Sequence, residues 1–329
     1  MWKTLKFFQK NLIWSIPGFM ILGLAFGSAF SPQFLKLWII PLTFFMVYPM
    51  MVSMNMKELL NQGGNKVQLA TIIINFGVTP FIGYFIGKVV FSDTPLAAVG
   101  LLLACLLPTS GMTISWTGFA KGNVSAAVKM TIIGLIIGAL ATPIYLKLLM
   151  GTVVLISLDK IFSQIIFIIF IPLIAGYLTQ LFLKNRFGNE IYEKKYKPRF
   201  PLLSTVGVLG VVFVSMALKA KTILADPMVL LYYLFPLIIL YTINFFVSTV
   251  VGKMFFSREN GIALVYGTVM RNLSIALAIA MGVFGEQGSE IALIIALAYI
   301  IQVQSAACLQ CLARHPKYIR QVLRHWHHW

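Results

Sequence analysis

The sequence predicts an all-α polytopic membrane protein: ten transmembrane helices arranged as two inverted five-helix repeats. Three observations predict it. Hydrophobic residues make up 59% of the 329 positions and charged residues only 11%, with a mean hydropathy of +0.90. That is too little charge to cover a water-exposed surface. Apolar stretches of about 20 residues recur from end to end, each long enough to cross a hydrocarbon core about 30 Å thick. They divide equally about residue 150, and a duplicated unit with an odd number of spans must lie upside down relative to its twin.

The stretches run in order near 12–30, 35–55, 67–91, 95–121, 123–149, 160–184, 200–219, 227–254, 259–284 and 288–313. The first follows Lys3, Lys6 and Lys10 and ends near Gly27-Ser28-Ala29, as a signal peptide would. More spans follow directly, so it is read as a retained first helix. The second and third are plain apolar runs. The fourth holds Pro108-Thr109-Ser110-Gly111 about midway across, and the ninth holds Arg271-Asn272 at the corresponding place. Proline lacks an amide proton and glycine tolerates unusual dihedrals, so the fourth helix unwinds there. Freed backbone at membrane depth is tolerated only in a protein interior or a wet cavity. Paired interruptions in inverted halves therefore point to a midplane binding site. The fifth span holds Lys129, the sixth repeats the Ile-Pro of the first (Ile16-Pro17, Ile171-Pro172), and the eighth repeats the Ile-Asn-Phe of the third (Ile74-Asn75-Phe76, Ile243-Asn244-Phe245). The first unit is residues 1–150 and the second 151–329, ending in a basic aromatic tail (315–329) suited to the headgroup layer.

Lys and Arg number 26 against 9 Asp and Glu, a formal net charge of +17. In a water-exposed fold that excess points to nucleic acid; here the charges lie between apolar runs and report orientation instead. With the N-terminus inside, only Lys36, Lys88, Lys147, Lys160, Lys219 and Lys221 fall outside. The excess on the other side places both termini in the cytoplasm of a cell-membrane protein. Within the spans remain two cations, Lys129 and Arg271, and no carboxylate or histidine. No nucleophile dyad or acid–base pair is available there, which argues against an enzyme. Cys308 and Cys311 lack a second Cys or His pair, so neither a metal nor a cofactor is expected.

Arg271 lies about 11 residues into its span, roughly 17 Å at 1.5 Å per residue. An arginine at that depth costs at least about 2.5–3.5 kcal/mol on insertion scales. Two roles follow: it faces the crossing cavity as an anchor for an anion or as a fixed cation, or it pairs with carbonyls freed by the break. Lys129, roughly 9 Å into its span, either joins that site or snorkels to the interface. Gln302, Gln304 and Asn244 are polar enough for either a cavity wall or bonds between helices, and helix bonding is favoured.

The segments PTSGMTISWTGFAKGNVSAAVKMT and MRNLSIALAIAMGVFG resemble the signature regions of the bile acid/sodium symporter superfamily, which includes the arsenical-resistance efflux carriers. The resemblance implies a panel of spans one, two, six and seven, a core of the other six with helices four and nine crossed, and alternating access by their relative motion. In the sodium-coupled branch a Ser-Asn pair after the first break corresponds here to Thr113 and Ile114. Two span-five hydroxyls correspond to Ala127 and Thr131, a span-nine glutamate to Gly267, its glutamine to Arg271, and a span-three glutamine to Asn75. Few oxygen ligands survive, the carboxylate is gone, and an arginine repels sodium. Sodium coupling in that manner is not expected. The arsenite branch shares Met112, Trp116, Ala120 and Gly122, but its cysteine corresponds to Thr109 and its helix-nine glutamate to Ser274.

The expectation is a secondary transporter of a small or organic anion, with Asn75, Thr109, Ser110, Thr113, Lys129, Arg271, Asn272 and Ser274 as substrate-site candidates. Arsenite or antimonite efflux and a channel-like pore remain alternatives. Lipid is the expected surroundings, and homo-oligomer formation stays open.

Overall fold

The computed structural model describes residues 2–30, 32–54, 65–151, 158–285 and 287–314. The basic tail and Lys57 lie outside the described residues, as do the side chains of Cys308 and Cys311. The described chain is helical without strands. Its helices are α1 (Trp2–Lys10), α2 (Leu12–Ala29), α3 (Ile39–Val52), α4 (Asn65–Ile72), α5 (Thr79–Val90), α6 (Pro95–Leu106), α7 (Gly111–Phe119), α8 (Val124–Met150), α9 (Leu158–Ile165), α10 (Ile171–Phe187), α11 (Asn189–Ile191), α12 (Phe200–Ala225), α13 (Met228–Phe255), α14 (Arg258–Val269), α15 (Leu273–Val283) and α16 (Gly288–Arg314).

Among the described residues, seven helical stretches are long and apolar enough to cross a membrane: Pro32–Val52, Asn65–Val90, Val124–Met150, Ile161–Phe187, Asn189–Lys221, Met228–Phe255 and Gly288–Ala306. The bent α1–α2 pair passes the same test only when its halves are joined. The stretches expected near 95–121 and 259–284 are each two shorter helices, α6 with α7 and α14 with α15. The outside of the molecule is apolar: Trp14, Leu37, Ile40 and Val89 are each more than three-quarters exposed. A surface of that kind suits lipid and not water.

Three of these stretches are continuous only through widened turns. Ile73–Val78 joins α4 to α5, Ile166–Phe170 joins α9 to α10, and Tyr192–Tyr196 follows α11, each as a π-helical segment. A π-turn loosens the carbonyl ladder, and side chains repair it: the Thr79 hydroxyl donates to the Ile74 carbonyl at 3.0 Å, and the Tyr145 hydroxyl donates to that of Phe76. Asn75 sits in the first of these widened turns.

Packing follows small residues. α12 lies against α2 and α3, and α3 against α10. A Cβ added to Gly27 would meet the Ala217 carbonyl oxygen at 2.1 Å, and one added to Gly207 would meet the Met46 amide nitrogen at 2.4 Å. In lipid the hydrophobic effect does not drive helix association, so such close backbone approach supplies the dispersion contacts that do. α6, α15 and α16 form the centre, with α5, α8 and α13 around them. Nearly every residue of α6 and of α15 is buried.

Because the atom facing Gly207 is backbone, Gly207→Ala forces α3 and α12 apart and costs about 1–3 kcal/mol. Gly18, with nothing within 4 Å of its added Cβ, accepts alanine without that loss. Melting of the two detergent-solubilised variants, followed by size-exclusion chromatography, checks the difference.

Candidate functional site

The site begins with two helices that stop inside the protein. α6 ends before Pro108, whose ring supplies no donor, and Thr109 then takes φ 62°. That left-handed conformation is uncommon for a β-branched residue and is held only where the surroundings fix it. Here the Thr109 amide donates to the Met270 carbonyl at 2.8 Å, and its hydroxyl donates to the Pro108 carbonyl at 2.6 Å. α7 restarts through a reciprocal cap: the Ser110 hydroxyl accepts from the Met112 amide at 3.2 Å, and the Thr113 hydroxyl accepts from the Ser110 amide at 3.1 Å. The second break is the shorter one. α14 ends at Val269, Met270 is extended, and Asn272 starts α15 by accepting from the Ile275 amide at 3.3 Å.

The two breaks meet. Pro108 and Arg271 form an isolated antiparallel bridge, and the Asn272 amide donates to the Leu107 carbonyl at 2.7 Å. Gln302 of α16 works as a third strand made from one side chain. It accepts from the Arg271 amide at 2.7 Å and donates to the Arg271 carbonyl at 3.2 Å. The Tyr241 hydroxyl, from α13, donates to the same Gln302 oxygen at 2.9 Å. Asn75 and Asn244 donate to the Gly267 and Thr268 carbonyls at 2.9 and 2.8 Å, closing the last turn of α14.

The Arg271 side chain is 3% exposed. Its Nη1 donates to the Cys105 carbonyl at 3.2 Å, in the last turn of α6, where the helix dipole is negative. Its Nη2 is buried with no hydrogen-bond partner among the described residues. Neither of its electrostatic neighbours, the Cys105 thiol and the Tyr241 hydroxyl, is a carboxyl group. Arginine cannot shed its proton in a protein, so a full positive charge stands at the crossing.

A cavity of about 970 Å³ lies to one side. Gln33, Lys36, Thr43, Gln164, Lys219 and Ser289 give it polar walls, and Ile40, Phe44, Phe167 and Met281 give it apolar ones. Lys219 also pairs with Glu290 across 3.3 Å, joining α12 to the start of α16. On α15 the lining reaches inward only to Ala278, seven residues beyond Arg271 and so roughly 10 Å from it. Arg271 therefore does not line this cavity, and of the two roles open to it from the sequence its Nη1 takes the second, pairing with a carbonyl at the end of a broken helix. The Cys105 contact and the Gln302 clamp hold it in the crossing instead.

Thr109, Ser110, Thr113, Arg271, Asn272 and Asn75 are thus gathered at or beside the crossing, most of them as caps. Ser274 turns to the Tyr299 hydroxyl of α16. Lys129 is not brought to Arg271; its ammonium donates to Asn65 at the start of α4, at 3.0 Å, which is the snorkelling geometry. The Cys105 sulfur packs where a Gly83 Cβ would be, 2.5 Å away. Gln302 and Asn244 do bond between helices, as their isolated positions in apolar spans imply. The cavity lysines are the residues that sequence reasoning missed: Lys36 and Lys219 read as flanking charges, because nothing local distinguishes a flank from a wall.

The chain is similar in sequence to known transporters. The sodium bile acid symporter family matches residues 40–226. The chain is 25% identical over 318 residues to the arsenical-resistance protein Acr3 of Alkaliphilus metalliredigens, covering 89% of each chain. It is 22% identical over 275 residues to the uncharacterized sodium-dependent transporter YocS of Bacillus subtilis, covering 82% of this chain and 81% of that one. Sodium/bile acid cotransporter 7 of Danio rerio is 28% identical over 111 residues, 34% of this chain and 31% of the relative. With its membrane-length apolar helices and two broken helices crossing at the centre, the chain is a multi-pass membrane transporter and not an enzyme, and it belongs to the sodium bile acid symporter family.

Proposed function

We propose that this chain is an alternating-access secondary transporter that carries a small or organic anion past Arg271. The observation that carries the reading is the buried, unpartnered Nη2 of Arg271 at the crossing of two broken helices. A fixed cation with a spare donor is a receptor for a negative oxygen. The wide cavity supports it by offering an anion two lysines on the approach.

Ten spans follow when the α1–α2 pair and the two broken stretches are added to the seven membrane-length ones. Inversion about residue 150 is supported by the repeated Ile-Pro and Ile-Asn-Phe segments and by the reciprocal bonds of the two breaks, the Thr109 amide to the Met270 carbonyl and the Asn272 amide to the Leu107 carbonyl. Lys-rich loops place both termini in the cytoplasm, and the cavity then opens outward. Coupling to sodium in the symporter manner is not part of the proposal, since Thr113, Ile114, Ala127, Gly267 and Arg271 stand at the ligand positions.

A second reading, efflux of arsenite or antimonite, is favoured by the similarity to Acr3 along 89% of the chain. Against it, Thr109 and Ser274 stand where that branch has a cysteine and a glutamate, and the Cys105 sulfur is packed against α5. Flux into proteoliposomes, with panels of organic anions and with arsenite, decides between them; saturation and trans-acceleration separate a carrier from a pore.

Arg271→Gln removes the charge but keeps an amide, and lowers transport of the preferred anion about 10- to 100-fold, the worth of one charged hydrogen bond of about 1.5–3 kcal/mol. Full activity of that variant removes the anchor. Gln302→Leu leaves the Arg271 amide and carbonyl without partners and costs about 1–3 kcal/mol of stability, read as a lowered melting temperature of the purified protein.

A further inference from the structure

The inward ends of α6 and α14 are the C-terminal ends of half-helices. Each carries partial negative charge and carbonyls that no following turn can satisfy. Ends of this kind in broken membrane helices are where alkali cations are coordinated in transporters generally. In this chain protein donors reach both ends. At α6, the Cys105 carbonyl takes the Arg271 guanidinium and the Leu107 carbonyl takes the Asn272 amide. At α14, the Gly267 and Thr268 carbonyls take Asn75 and Asn244, and the Met270 carbonyl takes the Thr109 amide. Of these donors only Arg271 carries a full charge. It is also the most firmly placed, since Gln302 pairs with both its amide and its carbonyl.

From this accounting we infer that Arg271 is a built-in cation: its guanidinium occupies the carbonyl end where an alkali metal ion would otherwise bind, and transport by this chain needs no such ion. The inference rests on the carrier reading above and deepens it by fixing its coupling. The two terminal guanidinium nitrogens divide the work. Nη1 neutralises the α6 end, as a bound ion would, while Nη2 keeps the same charge available to the anion. A mobile ion has to be bound again in each cycle, whereas a tethered one is always in place, so no alkali-ion gradient enters the cycle.

The test uses the full-length purified chain and two readouts. Thermal unfolding is measured in equal concentrations of sodium, potassium and choline chloride. Anion uptake by proteoliposomes is measured under the same three salts. For the unmodified chain the melting temperature and the uptake rate are the same in all three, within twofold for the rate. Arg271→Lys keeps a charge and stays indifferent to the salt. Arg271→Ala frees the Cys105 carbonyl and gains a stabilisation of several degrees by sodium or potassium over choline. Stabilisation or more than fivefold stimulation of the unmodified chain by sodium overturns the inference, whether or not the alanine variant folds. So does a folded alanine variant that ignores all three salts. If the melting profiles behave as stated but no anion is carried, the carrier reading fails while the cation assignment stands.

Discussion

Everything in this molecule leans on one requirement: the backbone at the crossing of two broken helices must be satisfied in an interior without water. An unsatisfied peptide group in such a place costs several kcal/mol. The answer here is a bridge in miniature, Pro108 against Arg271, with the Thr109 amide on the Met270 carbonyl and the Asn272 amide on the Leu107 carbonyl. Strand-like pairing is the natural solution for two short extended segments running antiparallel. It is also incomplete, because two segments have outer edges. The side chain of Gln302 covers one of them with the donor–acceptor pair of a peptide group.

That bridge explains why so many polar residues in this chain are caps and so few are free. Ser110, Thr113 and Asn272 restart the two helices, and Asn75 and Asn244 end one of them. The π-turn at Ile73–Val78 belongs to the same economy, since it swells the third span where Asn75 must reach α14. Among the described residues, the buried side-chain atoms at the crossing left without a partner are Nη2 of Arg271, Nδ2 of Asn272 and Oδ1 of Asn75, and only the first carries charge. A buried charge with one neutral partner and a helix end beside it is poorly compensated, which is the ground of the proposed anion site.

The charge in the chain is thus divided between three jobs. Most of it lies between the apolar stretches, the pattern from which an orientation in the bilayer is inferred. A smaller part, Lys36 and Lys219, lines the cavity, with Lys219 held by Glu290 in the meantime. The last part is one arginine in the crossing. Cavity and crossing are separated by about two turns of α15.

Much of this was legible in the sequence. Composition and run length require lipid-facing helices, because no soluble fold can hide that much apolar surface. Pro108 marks the first break through its missing amide proton, but Pro17, Pro49, Pro143 and Pro236 lie inside continuous helices, and the left-handed turn falls on Thr109 and not on Gly111. The depth of Arg271 requires a special environment, because a charge in hydrocarbon costs several kcal/mol. Only the tertiary structure decided what each polar side chain faces. Lys129 and Arg271 look alike as isolated cations in apolar spans, yet one reaches Asn65 and the other the Cys105 carbonyl. Gln302 lies 31 residues from the backbone it pairs with, and Cys105 166 residues from the guanidinium it accepts. Partners so remote are chosen by how helices pack around a crossing, and packing is a property of the assembled fold, which no local pattern encodes.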